Sequence, residues 1–275
     1  MKHLVKRLLY TFAPALTTAI VSAKSRAHSH TVVRNWGCAP IHKKLTTQFG
    51  NSVITGPFAG VVLTPMTQAE QIGPFLLGTY ESELVDSWET IFRGSYTQII
   101  DVGAKFGFYA VGLAKRFPKA DVVTFDTDWW ARKATREMAS ANHTTNVQIK
   151  GFCTPQWLAQ NTRQDAFIIS DCEGFEDTLF TSEVIARLNT TTLIVETHDC
   201  FVPGVSERLR KAFDSSHFVQ VVKMTGADIR PPVDLSFLAT DRERQLASQE
   251  VRPDQIWLFC IPKTGTNATL LSKNS

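Results

Sequence analysis

"IIDVGAKFGFYAVGLA", Ile99–Ala114, decides the fold. Thr97 to Val102 is apolar and β-branched and reads as a buried strand. Gly103 and Gly107 mark the turn, and Phe108 to Phe117 carries a helical pattern. Working outward, strand and helix patterns alternate. Asp121–Phe125 ("DVVTF") is a second strand, followed by a helix over Trp129–Asn142. Asn146–Lys150 ("NVQIK") is a third strand. Ala166–Ser170 ("AFIIS") is a fourth, followed by a helix over Phe175–Leu188. Thr192–Glu196 ("TLIVE") is a fifth strand, followed by a helix over Ser206–Phe213. Phe218–Lys223 is a sixth strand and Gln255–Ile261 ("QIWLFCI") a last one. This alternation predicts an α/β fold, a doubly wound and mostly parallel sheet with helices on both faces. The last two strands show no helix between them. They are expected to pair as an antiparallel hairpin at the sheet edge, with residues 224–254 as a long excursion.

In such a sheet, ligands bind at the carboxyl ends of the strands. Acidic residues gather there: Asp101 after the first strand, Asp126 after the second, Asp171 and Glu173 after the fourth, Glu196 with His198 after the fifth. The dinucleotide motif G-x-G-x-x-G is incomplete, because Lys105 stands where its middle glycine belongs. A carboxylate at Asp101 would repel a phosphate. It suits a cationic ligand such as S-adenosylmethionine, which offers a sulfonium, an ammonium and a ribose diol. Gly103 lets the chain turn tightly beside that ligand. Asp126 can accept hydrogen bonds from both ribose hydroxyls. Asp101 also has the simpler reading of a turn and helix cap.

The bulk numbers agree with an ordinary globular protein. Of the 275 residues, 43% are hydrophobic and 20% charged, and the formal net charge is +3. A charge this small gives little reason to expect nucleic acid as a partner. Cys38, Cys153, Cys172, Cys200 and Cys260 are scattered without a C-x-x-C pair, so reduced thiols and a cytoplasmic location are expected. The segment 1–25 reads in three ways. Lys2, Lys6 and Arg7 before an apolar stretch, with Val21 and Ala23, imitate an export signal. Leu4, Leu8, Phe12, Leu16 and Ile20 recur every four residues, as in a packing helix or a basic helix lying on a membrane surface. The packing helix is the preferred reading. Residues 26–95 form an N-terminal extension. In it "SVITGPFAGVVLTP" reads as a hairpin or short sheet and "ESELVDSWETIF" as a helix. The main domain spans 96–262, and 263–275 is a tail.

"IIDVGAKFGFYAVGLAKRFPKADVVTFDTD", "DAFIISDCEGFEDTLF" and "LIVETH" resemble the FkbM-type methyltransferases, within the class I S-adenosylmethionine-dependent fold. "GTYESEL" is similar to the segment before that family's first strand. The resemblance spans roughly Gly73 to His198, and Asp171–Glu176 (D-x-E-G-x-E) is its most specific part. It implies a Rossmann-like seven-stranded sheet whose last strand is antiparallel, and methyl transfer, typically to oxygen. It places the cofactor, S-adenosyl-L-methionine, on the turn carrying Asp101, Gly103, Ala104, Phe106 and Gly107, and on Asp126 with Thr127. The sequence departs from the family at Lys105, where Asn is usual, at Asp126-Thr127 for Glu-Pro, and at Ile169, where Lys is frequent.

Methyl transfer is an in-line displacement in which the enzyme mainly aligns the reactants. An alcohol must also lose a proton. Asp171 and His198 are the candidate bases, with Glu196 beside them; Asp171 is equally a candidate for the cofactor's methionine end. Glu173 and Glu176 read as acids in a helix's first turn. Phe152 and Cys153 are adenine neighbours by position alone. Trp129 and Trp130 either flank the ligand or pack on the sheet. Arg230, Arg242 and Arg244 either meet an anionic acceptor or form a solvated face. Asp171, Glu196, His198 and Asp199 could also hold a divalent metal, but oxygen ligands with one imidazole suit magnesium or manganese poorly to moderately and nothing in the sequence fixes their geometry, so no metal is assigned. The expected acceptor is a small molecule, a glycan or a lipid-linked alcohol. Two alternatives stand beside this reading: a catalytically silent protein of the same fold, and a nicotinamide-dependent oxidoreductase.

Overall fold

The computed structural model describes residues 9, 12–35, 37–69, 72–224, 233–248 and 256–270. Seven strands form one sheet: β1 (Gln98–Val102), β2 (Asp121–Phe125), β3 (Val147–Lys150), β4 (Phe167–Ser170), β5 (Thr192–Thr197), β6 (His217–Lys223) and β7 (Ile256–Pro262). Their order is β3-β2-β1-β4-β5-β7-β6. The first five pair in parallel. β7 runs antiparallel to both neighbours, β5 and β6. This is the doubly wound sheet with an antiparallel last strand that the sequence pattern and the resemblance imply. All five residues of β1 are buried. Alternate positions feed opposite faces: Ile99 joins one core and Ile100 the other.

The helices are α1 (Pro14–Asn35), α2 (Cys38–Phe49), α3 (Ile72–Leu77), α4 (Val85–Phe92), α5 (Phe108–Arg116), α6 (Trp129–Ala141), α7 (Pro155–Asn161), α8 (Glu176–Leu179), α9 (Ser182–Arg187), α10 (Val205–Asp214) and α11 (Asp241–Ser248). One sheet face is covered by α5 and α6 together with the N-terminal segment, through Leu45, Phe58, Leu63, Trp88 and Val111. Phe58 sits at the centre of that layer, edge-on to Trp88, Phe108 and Tyr109. The other face is covered from Leu158, Val184, Leu209 and Phe213.

Several expectations need correction. The single helix over Phe175–Leu188 is two short ones, because the Thr181 side chain caps a new start at the Val184 N–H. "SVITGPFAGVVLTP" does fold back as a tight hairpin, the Val53 N–H donating to the Val61 carbonyl and the Leu63 N–H to the Asn51 carbonyl, but its pairing stops at one isolated bridge, Ser52 to Val62, rather than extended strands. The excursion contains a helix after all, α11, which packs so closely on α3 that a Cβ on Gly73 would meet the Ala247 backbone. A further short helix, α7, follows β3; Thr154 caps it and Pro155 starts it. One helix, α1, runs through the boundary expected at residue 25. The described part of the apolar stripe does not pack: Leu16 and Ile20 on α1 are exposed, as are Leu9 and, at 82%, Phe12 ahead of it, while Thr17 and Thr18 face inward. Leu4 and Leu8 lie outside the described residues, as do Arg230 and Gln255. Residues 266–270 form a 3-10 turn that folds back, with Asn267 accepting from the Ser95 N–H at 3.1 Å.

Candidate functional site

The exits of β1, β2, β4 and β5 lie side by side, because these strands are consecutive neighbours in register: Asp101 stands opposite both Thr124 and Ile169. Gly103 has φ +101°, which L side chains rarely adopt. A Cβ there would overlap the Asp171 carbonyl oxygen. The glycine thus permits both the turn and the close approach of the β1 and β4 exits. Gly107 opens α5 with φ +84°, and a Cβ there would come within 2.6 Å of the Thr135 side chain on α6. Between them, the Gly103 and Ala104 N–H groups both donate to the Phe125 carbonyl, at 2.9 and 3.0 Å.

Two carboxyls define the first half of the site. Asp101 is 3% exposed and accepts from the Thr124 hydroxyl at 2.9 Å. Burial pushes it up to about 7; Thr124 and the Ala110 backbone pull it down, while Asp126 and Asp171 raise it further. Asp126 accepts from the Lys105 N–H at 2.9 Å on one oxygen and from the Asp128 N–H at 2.8 Å on the other. It too is pushed up to about 7 by burial, against the pull of those two donors. Each oxygen keeps lone-pair capacity beyond its single bond. Lys105 reaches this geometry in a left-handed conformation, φ +50°. Its ammonium lies 5.9 Å from the Phe106 ring centroid.

The second half gathers around His198, whose side chain is 11% exposed. Its Nδ1 lies 2.7 Å from Oε1 of Glu176. Its Nε2 lies 3.5 Å from Asp171, 3.7 Å from Glu196 and 3.9 Å from Glu173. Burial opposes the charged ring. The Glu176, Glu196 and Asp171 carboxylates overcome that and hold the imidazole well above its usual value. Phe201 stacks on the ring at 5.6 Å.

The structure therefore brings Asp171, Glu196 and His198 together, and places Asp101 and Asp126 beside them on neighbouring strands. Glu176 is the residue the sequence reading underrated. It does stand in the first turn of α8, yet its side chain is fully buried against His198. Nothing in D-x-E-G-x-E separates a buried histidine partner from an exposed capping acid. Ala104 and Phe106 are buried, and the Phe106 ring packs on Phe75 at 4.9 Å, so only its backbone borders the turn. Thr127 is half-buried. Phe152 lies against Phe175 at 5.2 Å, and Cys153 is buried in the same core. Trp129 is 65% exposed, whereas Trp130 packs on the core. Arg244 serves its own excursion, pairing with Asp241 at 2.7 Å and donating to the Leu238 carbonyl.

No family model matches the chain, and no curated protein does. Solved structures do resemble it. The precorrin-6y C5,15-methyltransferase from Geobacter metallireducens GS-15 shares 12% identity at TM-score 0.45, over 63% of this chain and 84% of that one. The O-methyltransferase TomG from Streptomyces achromogenes, involved in tomaymycin synthesis and solved with S-adenosylmethionine, shares 11% identity at TM-score 0.43, over 66% of this chain and 80% of that one. An rRNA methylase from Streptococcus thermophilus shares 14% identity at TM-score 0.45, over 65% of this chain and 96% of that one. At such identities the likeness concerns fold alone.

Proposed function

We propose that this chain is an S-adenosylmethionine-dependent methyltransferase of the FkbM type, acting on a hydroxyl of a small-molecule, glycan or lipid-linked acceptor. The observation that carries the proposal is Asp101. The groups that set its charge are a threonine hydroxyl, a backbone amide and two further carboxyls. A cationic ligand is what this set lacks, and it would draw the proton off the acid. The residues present fit the cofactor. Asp126 has acceptor capacity for a ribose diol, since each of its oxygens accepts only one backbone N–H.

The bound cofactor supplies an electrophilic methyl group on a sulfonium. The chain's own residues do the rest. Asp126, fixed by two backbone donors, orients the sugar. Asp101 and the Gly103–Gly107 turn shape the cationic end. Asp171, Glu196 and His198 line the acceptor side, where a carboxylate can take the hydroxyl proton beside the charged imidazole. The test is incubation with methyl-tritiated cofactor and a lipid-and-glycan extract. Label that survives base and is released as methyl iodide by hydriodic acid marks a methyl ether and supports methyl transfer to a hydroxyl. Binding of S-adenosylhomocysteine without incorporation would point to a silent protein of the same fold.

The proposal includes a place at a membrane surface. The exposed stripe Leu9, Phe12, Leu16 and Ile20 belongs to the first 69 residues. These carry Lys2, Lys6, Arg7, Lys24, Arg26, Arg34, Lys43 and Lys44 and no Asp or Glu. Exposed apolar side chains in a segment of basic, acid-free composition suit an anionic bilayer. Among the described residues no helix is long and apolar enough to cross one.

A further inference from the structure

We infer that Asp171, Glu196 and His198 form a divalent transition-metal site, with Glu176 fixing the histidine ring. Each of the three offers one ligand atom, and these atoms lie within 4.8 Å of one another. Around an ion with bonds of about 2.1 Å, ligand atoms sit roughly 3.0–3.4 Å apart when adjacent and about 4.2 Å apart when opposite. The distances of 3.5 and 3.7 Å from His198 Nε2 to Asp171 and Glu196 lie between those two separations, a few tenths of an ångström wider than adjacent ligands around a bound ion. Glu173, at 3.9 Å, is in reach as a fourth ligand.

The rival account is a charged imidazole that neutralises the acids through its own N–H groups. The contacts argue against it. Nδ1 makes a short bond to Glu176, but Nε2 stands off from every carboxylate that surrounds it. Asp171 Oδ1, the nearest of them, is buried and has no hydrogen-bond partner. Three carboxylates converge on one ring nitrogen, all beyond ordinary hydrogen-bond length, an arrangement that a shared cation would bridge.

The other ring nitrogen completes the pattern. A metal-bound histidine usually hands its second N–H to a carboxylate, which sets the tautomer and the ring angle. Glu176 is fully buried and holds that place at 2.7 Å, itself positioned by the Gly174 N–H at 3.0 Å. Its Oε2 is also buried without a hydrogen-bond partner. One imidazole with carboxylate oxygens suits Mn²⁺ or another borderline ion over Mg²⁺. Asp171 is the more open ligand, with 26% of its side chain exposed, so an ion and an acceptor oxygen can reach it. The ion's task, to lower the pKa of an acceptor hydroxyl, rests on the methyltransferase reading; the site itself does not.

The test is chelator-stripped protein titrated with Mn²⁺ alone, followed by electron paramagnetic resonance. One ion per chain is expected, with a nitrogen hyperfine signature from the imidazole. Glu196→Gln should weaken Mn²⁺ binding by about tenfold or more, and His198→Ala should abolish the nitrogen signature. Glu176→Gln should weaken binding by about tenfold while keeping that signature, as a positioning residue does. If His198→Ala does not fold, the near-isosteric Glu196→Gln carries the comparison. A folded protein with no saturable Mn²⁺ binding up to roughly 1 mM overturns the site, as does binding indifferent to both substitutions. S-adenosylhomocysteine binding is measured on the same stripped sample. Its presence without Mn²⁺ binding overturns the ion site alone; Mn²⁺ binding without it overturns the methyltransferase reading alone.

Discussion

Replacing Asp101 with Asn should separate folding from ligand binding. In the folded chain, burial first and the neighbouring acids next raise this carboxyl from 3.8 to about 7. The folded state thus holds a proton that the unfolded state has released, over the whole range between those values. Stability must therefore fall as pH rises from about 4 to about 7, then level off. A rise of about three pKa units corresponds to at most about 4 kcal/mol, and relaxation of the site should leave roughly half of that. Asp126 titrates in the same range, so the wild-type slope contains both groups. Asp101→Asn keeps an acceptor for the Thr124 hydroxyl and removes the charge. Urea unfolding at pH 5 and pH 8 should show the wild type losing several kcal/mol and the variant losing clearly less. At pH 8 the variant should be the more stable protein by about 2 kcal/mol, and it should bind S-adenosylmethionine at least about tenfold more weakly. Equal pH dependence in the two proteins would refute the assignment of a raised pKa to Asp101.

Other consequences follow from single positions. Asp126→Ala should weaken S-adenosylhomocysteine binding by about tenfold or more in calorimetry, since it removes two acceptor oxygens. Gly103→Ala should lower the melting temperature by more than about 10 °C, because φ +101° and the Asp171 carbonyl both oppose a Cβ. Trp88→Ala, deep in the layer under α4, should cost about 3–5 kcal/mol in chemical denaturation. Phe12→Ser should leave stability within about 0.5 kcal/mol, yet reduce sedimentation with phosphatidylserine vesicles; unchanged sedimentation would remove the membrane-surface reading.

The centre of the sheet was readable because β1, β4 and β5 are buried on both faces. Runs such as "AFII" and "LIV" are apolar without alternation, as strands covered on both faces require. The antiparallel pairing of β6 and β7 was readable from the missing crossover helix. Short helices were harder. Thr154-Pro155 carried a start signal for α7, but a two-turn helix has too few positions to show a period. The stripe at Phe12, Leu16 and Ile20 illustrates a different limit. Periodicity reveals that a face is apolar; it does not reveal what covers it. In the site, acids at strand exits were visible from the topology, whereas the Glu176–His198 contact joins residues 22 apart through the packing of α8 on the β5 exit. No local pattern encodes it.

Equilibrium titration of the purified chain with S-adenosylhomocysteine and, separately, with NADH bears most directly on the central claim, that carboxyls at the strand exits hold the nucleoside of an S-adenosylmethionine-type cofactor. Micromolar binding of S-adenosylhomocysteine that is lost in Asp126→Ala, with no binding of NADH, is the predicted result. Binding of NADH alone, or of neither ligand by folded protein, would contradict it.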